Sequence, residues 1–340
     1  MKENLKALNL LLSDSKNIVI TVHKSPDGDA MGSSLALYNH LYYMGYKVHI
    51  ITPNPHADFL NWLPGNKNVV IYSEQNNLAT KITNNADLIF MLDFGQLYRL
   101  DSYSDIVKKS NAKKVMIDHH QEPDLNISDI QFIDVTASAT AEIIYEIFEN
   151  LDWHNLISKD VATCLYTAIM TDTGSFKYPS TTERTHRIIA NLINKGAKNS
   201  LIHDLVYDNN SEDKIKLLGY CLNNKLLVFK ENNAAIISLN QEELNDFRFK
   251  QGDTEGIVNY ALSIKNIIFA VFIIEKDGMV KLSLRSKGNF KVNDIAKKYF
   301  RGGGHNNAAG GISDVSIKKT IDNLKEIFIK YNKQLNNTKI

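Results

Sequence analysis

Short apolar runs rich in β-branched residues recur along the first part of the chain, at Asn17–Val22, Lys47–Thr52, Asp87–Leu92 and Lys113–Ile117. Runs of this length that are apolar on both faces of the pleat predict strands covered on both sides. Helical spacing fills some of the gaps, at Met31–Tyr43 and Asp101–Asn111, and Met1–Lys16 reads as a leading helix. Strands alternating with helices predict an α/β domain built on a parallel sheet. After one more strand near Gln131–Val135 the pattern turns mainly helical, through Ser138–Asn150, Ser158–Met170, Thr181–Asn194, Ser200–Tyr207 and a connecting stretch Ser211–Lys225. Beyond Leu226 strand-like runs return at Ala234–Leu239, Ile267–Glu275 and Met279–Leu284, followed by a helix Val292–Tyr299 and the glycines 302–304. This rhythm divides the chain into an N-terminal α/β domain (1–195), a helical linker (196–228) and a smaller C-terminal α/β domain (229–340). The boundary rests on the change of rhythm, since no Gly/Pro-rich linker marks it.

Composition narrows the function classes. Lys and Arg number 39 against 38 Asp and Glu, a formal charge of +1, so no long-range field recruits duplex nucleic acid or an anionic membrane. An anionic ligand must be held by local groups. The two cysteines, Cys164 and Cys221, lie far apart with no CxxC pair, which argues against zinc ribbons and disulfide frameworks and fits a reducing compartment. The longest aliphatic run, Ile267–Ile274, has 8 residues, whereas a membrane helix needs about 20, so a cytoplasmic protein is expected. Nothing in the pattern points to an oligomeric state.

The chemistry gathers where the N-terminal strands end. The first is followed by His23-Lys24-Ser25-Pro26-Asp27-Gly28-Asp29, the third by Asp93, and the fourth by Asp118-His119-His120. In an open parallel sheet the crevice beyond the carboxyl ends of the strands is where ligands bind, so these segments are expected to converge. Any one alone reads more simply: DGD as a turn, Asp93 as a helix cap, a His-His pair as core or surface, Asp172 as the start of a turn. Their joint placement changes that balance. Several carboxylates and imidazoles without a thiol suit Mn²⁺, with Mg²⁺, Co²⁺ or Fe²⁺ behind it, and the donors outnumber the needs of one ion. Two ions sharing a carboxylate and a bridging hydroxide would serve phosphoryl chemistry. Ser138 and Ser175 have no evident base at motif spacing, which argues against a covalent serine mechanism.

The segments HKSPDGDAMGSSLAL, the Asp93 strand end, IDHH, TAIMTDTGSFKYPSTTERT and RGGGHNNAAGG occur in that order. Together they resemble the DHH phosphoesterase superfamily, and within it the nanoRNase and 3′-phosphoadenosine 5′-phosphate (pAp) phosphatase branch with its DHH-associated C-terminal domain. The resemblance implies one metal ion held by His23, Asp27 and Asp93 and another by Asp29, Asp93, His119 and Asp172, with Asp93 as the bridge. It makes Asp118 a partner that orients a neighbouring histidine and turns His120 toward the scissile phosphate. Arg285, Ser286 and Gly302-Gly303-Gly304-His305 would bind the substrate, in an active site set in the cleft between the domains.

The implied activity is hydrolysis of short single-stranded RNA to mononucleotides and removal of the 3′-phosphate of pAp, with two divalent ions, Mn²⁺ first, as cofactors. A cyclic di-AMP or pApA phosphodiesterase is the alternative, and a non-catalytic nucleotide-binding protein a more distant one. The 121–130 segment and Phe94-Gly95-Gln96 depart from the family pattern, which leaves base recognition without an assigned residue.

Overall fold

The computed structural model describes residues 2–276 and 278–339 and divides into two compact units, residues 1–209 and 210–340. Six strands form the sheet of the first unit: β1 (Asn17–Val22), β2 (Lys47–Thr52), β3 (Val69–Ile71), β4 (Leu88–Leu92), β5 (Lys113–Asp118) and β6 (Ile130–Ile133). All pair in parallel, in the order β3-β2-β1-β4-β5-β6. The order reverses at β1, so a crevice opens between the carboxyl ends of β1 and β4.

Alternation along each strand explains the continuous apolar runs. Ile18, Ile20 and Val22 face one core with Leu35, Phe148 and Leu165, while Val19 faces the opposite core with Met91, Tyr103 and Met116. The helices of this unit are α1 (Lys2–Asp14), α2 (Gly28–Tyr43), α3 (Asn76–Asn84), α4 (Ser104–Lys109), α5 (Thr140–Asn150), α6 (Lys159–Asp172), α7 (Glu183–Asn194) and α8 (Asn199–Tyr207). Helix α2 is buried from Gly28 through Leu41 and runs antiparallel to α6: Gly28 meets Thr171 at one end and Tyr43 Oη donates to Asp160 at the other, 3.0 Å. Small residues make this approach possible, since a Cβ on Gly32 would lie 2.6 Å from the Cys164 carbonyl oxygen.

The second unit holds α9 (Glu212–Tyr220), β7 (Leu226–Phe229), β8 (Ala234–Leu239), α10 (Gln241–Asp246), α11 (Ile257–Ser263), β9 (Phe269–Lys276), β10 (Met279–Ser286), α12 (Val292–Tyr299), β11 (Gly303–His305), β12 (Ala308–Ser313), α13 (Ile317–Lys330) and α14 (Asn332–Asn337). Its mixed sheet has the order β11-β12-β10-β9-β8-β7, with β8 and β9 parallel and the other pairs antiparallel. Each face carries its own core. The stretch between the two sheets is shared out: Ile202 and Val206 of α8 pack in the first unit, whereas Leu217 and Cys221 pack against Ile237 and Ile257 of the second. Among the described residues no helix is long and apolar enough to cross a membrane.

Several elements differ in extent from the sequence expectation. Helix α2 begins at Gly28, not Met31, because the Asp27 side chain caps it by accepting from the backbone N–H of Asp29 and Ala30, both 3.1 Å. The stretch expected as one helix over Asp101–Asn111 is a 3₁₀ segment, Leu97–Tyr103, kinked at Asp101 (φ 53°) and followed by α4. Strands β3, β7 and β11 are 3 or 4 residues long, too short for alternation to reveal.

Candidate metal centre

Three strand ends deliver the acidic and imidazole groups to one place. His23 follows β1, and its Nδ1 lies 2.8 Å from the Lys24 carbonyl, which leaves Nε2 turned toward Asp93 and Asp27, at 3.4 and 3.8 Å. Asp93 follows β4 in a left-handed conformation (φ 65°), which Asp tolerates better than most residues, and its N–H donates to the Ile117 carbonyl, 3.0 Å. His119 follows β5; its Nδ1 lies 3.2 Å from the Ala137 carbonyl, and its Nε2 stands 3.5 Å from Asp93, 3.5 Å from Asp172 and 3.8 Å from Asp29. Asp172 reaches this point from the last turn of α6, and Asp29 from the first turn of α2.

Asp93 lies at the middle of this arrangement. Its Oδ2 faces His23 and its Oδ1 faces His119 and His120, so each oxygen belongs to a different group of donors. Among the described residues three groups that include Asp93 have ligand atoms within 4.8 Å of one another: His23, Asp27 and Asp93; Asp29, Asp93 and His119; and Asp93, Asp118 and His120. Donors at 2.0–2.2 Å from a common ion stand roughly 3.0–3.5 Å apart in octahedral or tetrahedral geometry, so these separations fit divalent cations.

The electrostatics of the cluster point the same way. Burial and the neighbouring Asp93 charge push Asp29 well above the usual carboxylate range, and burial with the charges of Asp27 and Asp93 pushes Asp172 up to about 6. Burial alone would raise Asp93, yet hydrogen bonds with His119 and His23 hold it well below that range. Burial would lower both histidines, but their contacts with Asp93 and the surrounding carboxylates raise His23 and raise His119 far more. The cluster therefore calls for positive charge, which protons supply in the absence of a cation and a divalent ion supplies better.

Asp118 is wholly buried at the end of β5 and does not serve His119. Its Oδ1 accepts from both the backbone N–H and Nδ1 of His120, at 3.2 and 2.8 Å, which fixes that ring through Nδ1. Its Oδ2 has no hydrogen-bond partner among the described residues. Gly95 makes room for it: a Cβ there would meet Pro123 at 2.8 Å and Asp118 Oδ2 at 2.9 Å. The Arg99 carbonyl accepts from the Lys24 N–H, 2.7 Å, and so ties the Asp93 loop to the loop after β1.

Thr140 carried no signal in the sequence, yet its hydroxyl donates to Asp93 Oδ1, 3.0 Å, and its N–H to Asp29 Oδ2, 2.6 Å. The two serines set aside as nucleophiles each have a hydrogen-bond partner. Ser138 Oγ donates to Glu142, 2.7 Å, and Ser175 Oγ lies 3.1 Å from His203 Nε2. His203 lies 28 residues along the chain from Ser175, beyond any motif spacing.

In the second unit the expected substrate-binding residues fall on or beside two strands, β10 and β11, that flank β12. Arg285 and Ser286 end β10, and Gly303–His305 form the edge strand β11, hairpin-paired with β12. Ser286 is buried, donates its hydroxyl to the Phe290 carbonyl and accepts from Asn307 Nδ2, 2.9 Å. Gly302 and Gly304 are required by the hairpin, since a Cβ would meet the Gly310 carbonyl oxygen at 2.1 Å and the Ala308 carbonyl oxygen at 2.6 Å; Gly303 faces open space. Arg285 Nη1 donates to the Leu284 carbonyl, 3.0 Å.

Comparison with known proteins finds one family match within each unit. The DHH family, N-terminal domain, matches residues 17–169, and the DHHA1 domain matches residues 231–334. The chain is 30% identical over 297 residues to the bifunctional oligoribonuclease and PAP phosphatase NrnA of Bacillus subtilis (strain 168), covering 86% of this chain and 88% of that protein. It is also 30% identical over 339 residues to the protein of the same name from Mycoplasma genitalium, covering 96% of each. The solved structure of an exopolyphosphatase-related protein from Bacteroides fragilis superimposes with a TM-score of 0.94 at 39% identity, covering 99% of this chain and 98% of that one. With its Asp-His-His strand end set among these carboxylates and a DHHA1 domain following, the chain belongs to the DHH family.

Proposed function

We propose that this chain hydrolyses short single-stranded oligoribonucleotides to mononucleotides and removes the 3′-phosphate of pAp, using two divalent ions, Mn²⁺ first among them. The observation that carries the reading is the convergence of His23, Asp27, Asp29, His119 and Asp172 around Asp93, at the crevice where the strand order of the first unit reverses. The similarity to two oligoribonuclease and PAP phosphatase proteins supports the substrate class.

His23, Asp27 and Asp93 would hold one ion, and Asp29, Asp93, His119 and Asp172 the other; bound there, the ions would supply Lewis acidity toward phosphoryl oxygens and lower the pKa of water. The Nδ1 contacts of His23 and His119 to backbone carbonyls fix which ring nitrogen each presents. Asp118 holds His120 so that its Nε2 meets the phosphoryl group undergoing substitution. Arg285 suits phosphate by its planar fork of donors, Ser286 and Asn307 brace the loop after β10, and Gly302–His305 offer backbone and imidazole donors to the same anion.

The test incubates metal-stripped full-length protein, with and without Mn²⁺, against pAp, pApA, a five-nucleotide RNA, cyclic di-AMP and inorganic polyphosphate, following AMP and phosphate by chromatography. Mn²⁺-dependent phosphate release from pAp and mononucleotide release from RNA are expected. Turnover confined to cyclic di-AMP and pApA, or to polyphosphate, overturns the substrate assignment; equal turnover after chelation overturns the metal mechanism.

A further inference from the structure

The first turn of α5 touches the candidate metal centre directly. Its N-cap is Ala139, which has no side-chain oxygen to satisfy the N–H groups exposed at a helix start. Those groups go to Asp29 instead: Thr140 N–H donates to Oδ2, 2.6 Å, and Ala141 N–H to Oδ1, 3.2 Å. Ser33 Oγ adds a third bond to Oδ1, 2.8 Å. A carboxylate accepts at about four positions, so Asp29 keeps one, on Oδ2, the oxygen that faces His119. Thr140 Oγ1 donates to Asp93 Oδ1, 3.0 Å, and Ala137 offers its carbonyl to His119 Nδ1, 3.2 Å. One five-residue segment thus reaches three of the six side chains assigned to metal binding.

That segment is itself held firmly. Glu142, buried within α5, reaches back to accept from the backbone N–H and hydroxyl of Ser138, at 3.0 and 2.7 Å. Arg184 of α7 donates to Asp134 at the other end of the loop, 2.7 Å, and pairs with Glu146 of α5, 2.6 Å. Asp134 in turn accepts from the Thr136 N–H and hydroxyl, at 2.9 and 2.6 Å. Ion pairs and hydrogen bonds arranged in this way order a loop that lacks regular structure of its own.

Resting on the two-ion reading above, we propose that residues 137–141 are the positioning element of the metal centre, with Thr140 as its central residue. The Thr140 hydroxyl fixes the rotation of the Asp93 carboxylate so that one oxygen faces each group of donors. The helix N–H groups hold Asp29 beside it, easing repulsion between two buried acids through the partial positive charge of the helix start. Thr140 acts through Asp93 and Asp29 and has no contact with the reacting atoms in this assignment.

The test compares Thr140→Val, Thr140→Ala and Thr140→Ser in the full-length, metal-stripped chain. Mn²⁺ affinity is read by titration calorimetry, coupling between bound ions by electron paramagnetic resonance, and folding by the thermal midpoint without metal. Loss of an orienting partner costs a metal site about 10–100-fold in affinity. The expected result is a loss of that order in the Val and Ala variants, with the spin-coupled signal weakened, and recovery to within about threefold of wild type in the Ser variant, which keeps the hydroxyl. Valine keeps the shape of threonine, and alanine relieves any crowding if valine disturbs folding. Folded Val or Ala variants that bind Mn²⁺ with wild-type affinity and coupling overturn the positioning role alone. A wild-type protein that takes up no divalent ion overturns it together with the two-ion reading.

Discussion

Gly32 couples the packing of the first unit to its candidate metal centre. It lies in the second turn of α2, within its buried stretch, and a Cβ there would fall 2.6 Å from the Cys164 carbonyl oxygen and 2.7 Å from Ala168 Cβ, both on α6. Carbon atoms in ordinary contact stand roughly 3.5–4 Å apart, so Gly32→Ala has to part the helices by about 1 Å. Overpacking of this kind costs about 1–3 kcal/mol, and the better helix propensity of Ala returns about 1 kcal/mol. A net loss of up to about 2 kcal/mol lowers the thermal midpoint of a unit this size by up to roughly 8 °C. The functional consequence is larger, because α2 carries Asp27 and Asp29 near its start while α6 carries Asp172 at its end, 3.5 Å from His119 Nε2. A shift of about 1 Å between them is expected to weaken Mn²⁺ binding about 10–100-fold, the scale on which orienting contacts act. Calorimetric titration with Mn²⁺ and a thermal scan of the metal-free protein measure the two effects separately. Gly219→Ala is the control, since a Cβ there meets nothing within 4 Å and the change is expected to stabilise α9 by up to about 1 kcal/mol. A Gly32→Ala protein with the wild-type midpoint and Mn²⁺ affinity would refute the claim that this close approach sets the position of Asp172.

Three further outcomes are expected. Asp93→Asn keeps a side chain that tolerates the left-handed backbone at φ 65° but removes the charge shared by both donor groups, so phosphate release from pAp is expected to fall on the order of 10³-fold or more at saturating Mn²⁺. Asp118→Asn, which alters the partner of His120 Nδ1, is expected to cut kcat about 10–100-fold, judged by the cost of losing an orienting partner, while calorimetry still finds Mn²⁺ bound. His40 is buried against Phe148, with both ring nitrogens lacking a partner among the described residues, and burial lowers its pKa from 6.5 to about 4. The unfolded chain therefore takes up a proton below pH 6.5 that the native protein refuses until about pH 4, and stability falls as pH drops through that window. The loss amounts to about 3 kcal/mol, and urea titrations of wild type and His40→Phe between pH 4 and 7 should show the variant with the shallower slope.

The sequence by itself determined a great deal of this protein. Strands β1, β2 and β8 have the limits that hydrophobic pattern predicts, because short β-branched runs apolar on both faces of the pleat favour a buried strand, and helix α12 has the limits its helical spacing predicts. The parallel sheet follows from the alternation of strands and helices, and with it the expectation that His23, Asp93 and His119 meet, since each follows a strand whose carboxyl end opens on the same crevice.

Tertiary structure decided what depends on contacts distant in the chain. Thr140 gave no signal because its hydrogen bonds reach Asp93 and Asp29, 47 and 111 residues away, and Ser175 meets His203 only through the packing of α8. The choice of His120 over His119 as the partner of Asp118 rests on ring orientation, which spacing in a three-residue motif leaves open. The glycines of the 302–304 run differ from one another only once the hairpin is formed: two are pressed against the backbone of β12 and the third is not. In each case local sequence supplied the chemical group, and packing across the fold chose its partner.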